Sequence, residues 1–118
     1  MLERIKSWLP GGRQEAEESS TSISGADLMG WLVEGRMVTM LDVRDQKQYR
    51  RGHIKGSTLL PQAELQKRTH EVRRDRPVVV VCASGGRAMQ SARWLRSQGF
   101  EAMYLIGGVN EWPGRLVK

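Results

Sequence analysis

Val78-Val79-Val80-Val81-Cys82-Ala83-Ser84-Gly85-Gly86-Arg87-Ala88 runs from a wholly apolar segment straight into a cysteine, two glycines and an arginine. Four consecutive valines carry no polar alternation, so they read as a strand buried on both faces, the habit of a central parallel strand. Beyond the cysteine, Ser84, Gly85 and Gly86 supply a turn, and Ala88, Met89, Ala92 and Leu95 then recur at helical spacing. Cys82 is therefore expected on a tight loop between a buried strand and the first turn of a helix. There the backbone N–H groups of the loop converge on one spot, and the helix start adds partial positive charge, so an anion or thiolate is favoured. Arg87 brings a fixed cationic fork suited to an oxyanion. The competing reading is a small inert core residue, since unpaired cysteines are often buried. A core cysteine, however, has no need of a glycine pair and an arginine directly after it.

The rest of the composition bounds the protein around that loop. At 118 residues, 39% hydrophobic and 27% charged, one soluble globular domain is expected. No apolar run approaches the length of a membrane span, and no secretory signal core is seen near Met1. The single cysteine excludes an internal disulfide and a cysteine-based metal cluster and suits a reducing cytoplasm. The formal charge of +6 raises nucleic-acid binding, yet no stacking or helix-turn-helix pattern accompanies it, and nucleic acid is not expected. The excess concentrates in Arg50-Arg51 and in Lys67-Arg68 with Arg73-Arg74 and Arg76, which read as a solvated basic face or as a means of steering small anions.

Along the chain, Leu2, Ile5, Trp8 and Leu9 fall on one helical face before Pro10-Gly11-Gly12, and 13–20 is a polar linker. Residues 1–20 are thus expected to be a tail outside the domain at 21–118. Its first nine residues either dock on the domain, a partner or a membrane surface, or form a mobile end. Thr21-Ser22-Ile23 reads as a short strand, Ser24 as a helix N-cap with Asp27 three residues on, and Leu28, Met29, Leu32 and Val33 as that helix's apolar face. Trp31 lies off the stripe and is expected to be partly buried. Val38 to Val43 form the next buried strand, with Asp42 and Arg44 at the end that borders the ligand crevice in open parallel sheets. Asp45 to Arg51 read as a short helix stopped by Gly52, Thr58 to Pro61 as a strand, and 62–75 as a charged helix anchored by Leu65 and Val72. After the Cys82 loop a helix runs to Ser97, and Ala102 to Ile106 make the last strand. Alternation of strands and helices predicts an α/β fold, a parallel sheet with helices on both faces.

Met40-Leu41-Asp42-Val43-Arg44, Gly52-His53-Ile54-Lys55-Gly56-Ser57, Cys82 to Ala88 and Leu105-Ile106-Gly107-Gly108-Val109-Asn110-Glu111-Trp112 occur in that order, and together they resemble the signatures of the rhodanese-like sulfurtransferase family across about residues 22 to 113. Lys55 and Ser57 depart from the usual Pro and Ala, which affects turn rigidity and removes no reacting group. The resemblance implies a mostly parallel sheet of five strands with the Cys82 strand central. It implies that Cys82 is the catalytic nucleophile and carries a persulfide, and that the loop Ala83, Ser84, Gly85, Gly86, Arg87 and Ala88 binds the sulfur group. Asp42, Arg44 and His53 are implied as supporting groups, with His53 positioning a turn rather than serving as a base. The implied donor is thiosulfate or a persulfide, and the acceptor cyanide or a thiol; a protein sulfur donor or acceptor fits the same chemistry, and no metal or organic cofactor is required.

Two alternatives accompany that reading. A non-catalytic regulatory module of the same fold would only bind partners, against which Cys82 speaks, whereas a sulfur carrier would use the cysteine to hold sulfur received from another protein. Cysteine-dependent phosphatases and arsenate reductases also place cysteine and arginine on a loop before a helix. They use a loop one residue longer, however, whereas four residues separate Cys82 from Arg87.

Overall fold

The computed structural model describes residues 21–118; the expected amphipathic segment 1–9 and linker 13–20 lie outside the described residues. The described residues hold seven strands, β1 (Ser22–Ile23), β2 (Thr39–Asp42), β3 (His53–Ile54), β4 (Thr58–Leu59), β5 (Val78–Val81), β6 (Ala102–Leu105) and β7 (Leu116–Val117), and three α-helices, α1 (Gly25–Val33) after β1, α2 (Gln46–Arg51) after β2 and α3 (Gly86–Ser97) after β5. Five strands form one sheet in the order β1-β6-β5-β2-β4, and every neighbouring pair is parallel. The valine strand β5 is thus central, registered on β2 from Thr39↔Val78 to Asp42↔Val81 and on β6 from Val78↔Ala102 to Val80↔Tyr104.

The absence of polar alternation in β5 has its cause in two cores, one on each side of the sheet. Val78, Val80 and Cys82 face α3 together with Leu41, Val43, Ala88, Ala92 and Leu95. Val79 and Val81 face the opposite side with Leu28, Ile54, Leu105 and Val109. All four valines are fully buried, and each such side chain contributes on the order of 2 kcal/mol of hydrophobic transfer. Because side chains alternate along a strand, this register directs the residue after Val81 to the α3 side. Cys82 therefore emerges at the C-terminal edge of the sheet, beneath the start of α3.

Local signals fix the flanking helices. Ser24 Oγ accepts the Asp27 N–H at 3.0 Å and caps α1 as its sequence predicts. Trp31 is half-buried against the second core, with the Arg36 guanidinium 5.0 Å from its ring centroid. Asp45 and Gln48 form a reciprocal capping box at the start of α2. In α3 the buried face is Ala88, Ser91, Ala92 and Leu95, so Ser91 takes the place expected for Met89, which is half-buried.

The expected helix over 62–75 is not formed. Two 3₁₀ turns, Gln62–Glu64 and Thr69–Glu71, occupy it instead. Leu65 and Val72 are buried as expected, but two anchors do not make a continuous apolar stripe. The Thr69 hydroxyl also donates back to the Leu65 and Gln66 carbonyls, a local alternative to helix propagation. A further departure is the two-stranded antiparallel sheet of β3 with β7, which pairs His53 with Val117 and Ile54 with Leu116. Among the described residues no helix is long and apolar enough to cross a membrane.

Candidate active site

Cys82 is 3% exposed, and its Sγ stands where a helix-capping side chain would. The N-cap of α3 is Gly85, which has no side chain to offer, so the first N–H groups of the helix lack an ordinary cap. The sulfur supplies one. The Gly85 N–H donates to Sγ at 3.0 Å and the Ala88 N–H at 3.4 Å. Gly85 reaches this geometry at φ 117°, in the left-handed region where a side chain is strained. The sequence expectation gives the whole run from Ala83 to Ala88 to the cradle; two of its N–H groups, those of Gly85 and Ala88, reach the thiol itself.

A second turn holds the loop in that orientation. The Val109 and Asn110 N–H groups donate to the carbonyls of Cys82 and Ala83 at 2.9 and 3.0 Å. Both carbonyl oxygens are thereby held in backbone hydrogen bonds to the last turn. Gly108 allows the approach, because a Cβ there would lie 2.3 Å from the Cys82 oxygen. The glycine pair is visible in the sequence as a turn signal, but its proximity to the cysteine loop is a tertiary fact.

Arg44, Asp45, Gln48, Cys82, Ala83, Ser84 and Arg87 line a cavity of about 270 Å³ over the sulfur. Arg87 is exposed at its rim, and its guanidinium has no ion-pair partner among the described residues. Asp45 and Gln48 were missed as pocket residues; their capping-box spacing is readable in the sequence, but not the position of α2 against the loop. A larger cavity of about 440 Å³ beside β1 and α1, lined by Asp27, Trp31 and Arg36 among others, contains neither the cysteine nor its loop.

Asp42 and Arg44 brace this edge of the sheet. The Asp42 carboxylate is fully buried and accepts from the Arg44 backbone N–H at 3.0 Å, from Nε at 3.0 and 3.2 Å, and from Nη2 at 2.9 Å. Arg44 Nη2 also donates to the Gly52 carbonyl at 2.8 Å, tying the end of β2 to the end of α2. Asp42→Ala would leave the Arg44 charge buried without its carboxylate, and a loss of about 3 kcal/mol is expected. Urea denaturation measures it; a loss below about 1 kcal/mol would mean that the pair does not brace the edge.

His53 stands apart from the thiol. Its Nδ1 bonds the Tyr49 carbonyl at 2.8 Å and its ring stacks on Tyr49 at 3.7 Å between centroids, while the Tyr49 hydroxyl donates to the Ser57 carbonyl. The histidine links α2 to the β3 turn and does not line the Cys82 cavity.

Known proteins resemble this chain in sequence and fold. The thiosulfate sulfurtransferase GlpE of Coxiella burnetii is 38% identical over 87 residues, covering 72% of this chain and 81% of GlpE. The Bacillus subtilis protein YrkF, whose name marks it as a sulfur carrier candidate, is 27% identical over 117 residues, or 96% of this chain; the alignment spans only 63% of YrkF. A rhodanese-related protein from Thermoplasma volcanium superposes with a TM-score of 0.76 at 29% identity, covering 81% of this chain and 96% of that one. The profile of the Rhodanese-like domain matches residues 24–114, from the Ser24 cap of α1 past the Gly108 turn that holds the cysteine loop, and the chain belongs to that family.

Proposed function

We propose that the protein is a sulfurtransferase that carries sulfane sulfur on Cys82, taking it from thiosulfate or a persulfide and passing it to cyanide or a thiol. The observation that carries the reading is the pair of backbone N–H groups, Gly85 and Ala88, directed at Sγ at 3.0 and 3.4 Å. Such preorganised donors stabilise negative charge on sulfur without reorganising during the reaction. The Cys82 thiolate attacks the outer sulfur of thiosulfate. The new Sγ–S bond forms as the donor's S–S bond breaks, and sulfite leaves with the electron pair. The outer sulfur of the resulting persulfide lies over the loop, within reach of its remaining N–H groups. Cyanide or a thiolate then attacks that sulfur and expels the Cys82 thiolate, which completes a double displacement. Similarity to GlpE supports the donor assignment, and similarity to YrkF supports a carrier role with the same intermediate.

Arg87, unpaired at the cavity rim, binds the sulfonate end of the donor. Removing one charge-assisted contact costs about 1.5 kcal/mol, so Arg87→Ala is expected to raise KM for thiosulfate roughly tenfold while kcat stays within about threefold. Steady-state kinetics at fixed cyanide test this, and an unchanged KM would remove Arg87 from the binding site. The shorter loop argues against phosphatase chemistry, since four residues between Cys82 and Arg87 leave less room to encircle a tetrahedral oxyanion.

A further inference from the structure

The two basic clusters of the sequence differ in their partners. In the 67–76 cluster, Arg68 is clipped between Glu64 at 2.7 Å and Glu71 at 2.8 Å, and Arg73 pairs with Asp75 at 2.6 Å. The Arg73 guanidinium, hydrogen-bonded to Asp75, holds that carboxyl down at about 2. Arg74 lies over the Phe100 ring at 4.0 Å and donates to the Gln98 carbonyl. Most of this cluster's charge is therefore answered within the fold.

On α2 the charge is not answered. Lys47, Arg50 and Arg51 are exposed and, with Gln46, line a depression of about 340 Å³. None of the three has an ion pair among the described residues. Complementing the helix dipole accounts for Arg50 and Arg51 in the last turn, but not for Lys47 in the first turn, where a cation is unfavourable. Lys47 and Arg51 also form a like-charge i,i+4 pair, which works against the helix. This arrangement costs local stability and makes no compensating contact within the described residues.

The other side of the same helix borders the cysteine: Asp45 and Gln48 line the Cys82 cavity, while Lys47, Arg50 and Arg51 do not. A small anion in the cationic depression would not touch the thiol. A chain that crosses α2, whose width with side chains is about 10 Å, needs only about four extended residues to reach from one to the other. We propose that Lys47, Arg50 and Arg51 form a docking surface for an acidic segment of a partner protein whose own cysteine, a few residues along, accepts sulfur from Cys82. This rests on the sulfurtransferase reading. In the step, the partner thiolate attacks the outer persulfide sulfur, the Sγ–S bond breaks, the partner becomes the persulfide and Cys82 leaves as thiolate. The acidic run lies on the cationic side of α2, and the partner cysteine enters past Gln48.

The test uses the full chain and two labelled peptides, one with a run of glutamates followed about four residues later by a cysteine, the other with glutamines in their place. At low salt the glutamate peptide is expected to bind roughly tenfold more tightly by fluorescence anisotropy and to take sulfur from thiosulfate-loaded protein correspondingly faster, both advantages fading at high salt. Lys47→Glu with Arg50→Glu should abolish the preference and leave cyanide turnover unchanged. Lys67→Glu with Arg73→Glu, on the other cluster, should keep the preference within about twofold. Equal affinity for the two peptides, an equal loss in the second double variant, or displacement of the peptide by inorganic phosphate at constant ionic strength would overturn the proposal. Failure of thiosulfate to load Cys82 would instead overturn the sulfurtransferase reading, and the binding measurement on unloaded protein would still decide the docking surface.

Discussion

Cys82→Ser is expected to lower thiosulfate-to-cyanide sulfur transfer by roughly a thousandfold or more, in a protein that still folds. The size of the effect follows from what surrounds the sulfur. Sulfur is a strong nucleophile in its own right, and the Gly85 and Ala88 N–H groups point at it. A serine hydroxyl needs a general base, and no histidine lines the cavity, because His53 is held by Tyr49 through both its Nδ1 and its ring face. Asp45 does line the cavity, but its carboxylate accepts the Gln48 N–H at 2.8 Å as the cap of α2. Serine also nearly fills the same space and accepts hydrogen bonds, so the melting temperature should stay within about 4 °C of the parent. Turnover of purified variant at the parent rate would show that Cys82 is not the nucleophile. Loss of turnover with a collapsed melting temperature would move its role to the fold.

Gly108→Ala is expected to be nearly as damaging, although residue 108 does not line the cavity. Gly108 adopts φ 60° and ψ −158°, a conformation almost confined to glycine. A Cβ there would lie 2.3 Å from the Cys82 oxygen and 2.5 Å from the Ala83 oxygen, both backbone atoms that cannot swing aside. Either the turn withdraws and the Val109 and Asn110 N–H groups lose the two carbonyls, or the Cys82-Ala83 peptide shifts and Sγ leaves its donors. Backbone strain and lost hydrogen bonds together cost about 3 kcal/mol or more. With the sulfur no longer centred on its donors, kcat should fall roughly a hundredfold, the order seen when one preorganised donor is removed from an anion hole. Parallel measurement of kcat and thermal unfolding tests this. A variant with the parent's kcat would show that the turn does not set the loop.

The sequence is most informative where a residue's surroundings are its own neighbours in the chain. Val78 to Val81 announce a strand buried on both faces because all four are alike, and the glycine pair after Cys82 announces the turn into α3. Ser24 before Gly25 announces a helix start through a bond that spans three residues, and the Asp45 cap, which the sequence reading places inside its helix, is of the same kind. The 62–75 segment is read wrongly for the converse reason: its charges suggest a solvated helix, while its backbone is set by Thr69 turning back on Leu65 and by Arg68 gripping residues on both sides. The β3–β7 pairing joins residues more than sixty positions apart, so neither short segment carries a sign of the other. The same limit applies to the candidate site. Cys82, its loop and Arg87 are legible as one stretch, whereas Asp45, Gln48 and Gly108 reach the thiol or its loop only once the sheet has brought α2 and the last turn beside β5.

Sulfur carriage by Cys82 is tested most directly by the mass of the intact protein, recorded under non-reducing conditions before thiosulfate, after thiosulfate and after subsequent cyanide. The expected sequence is a gain equal to one sulfur atom, absent in Cys82→Ser, followed by its complete loss to cyanide with thiocyanate in solution. An unchanged mass after thiosulfate, or an added sulfur that persists in Cys82→Ser, would contradict it.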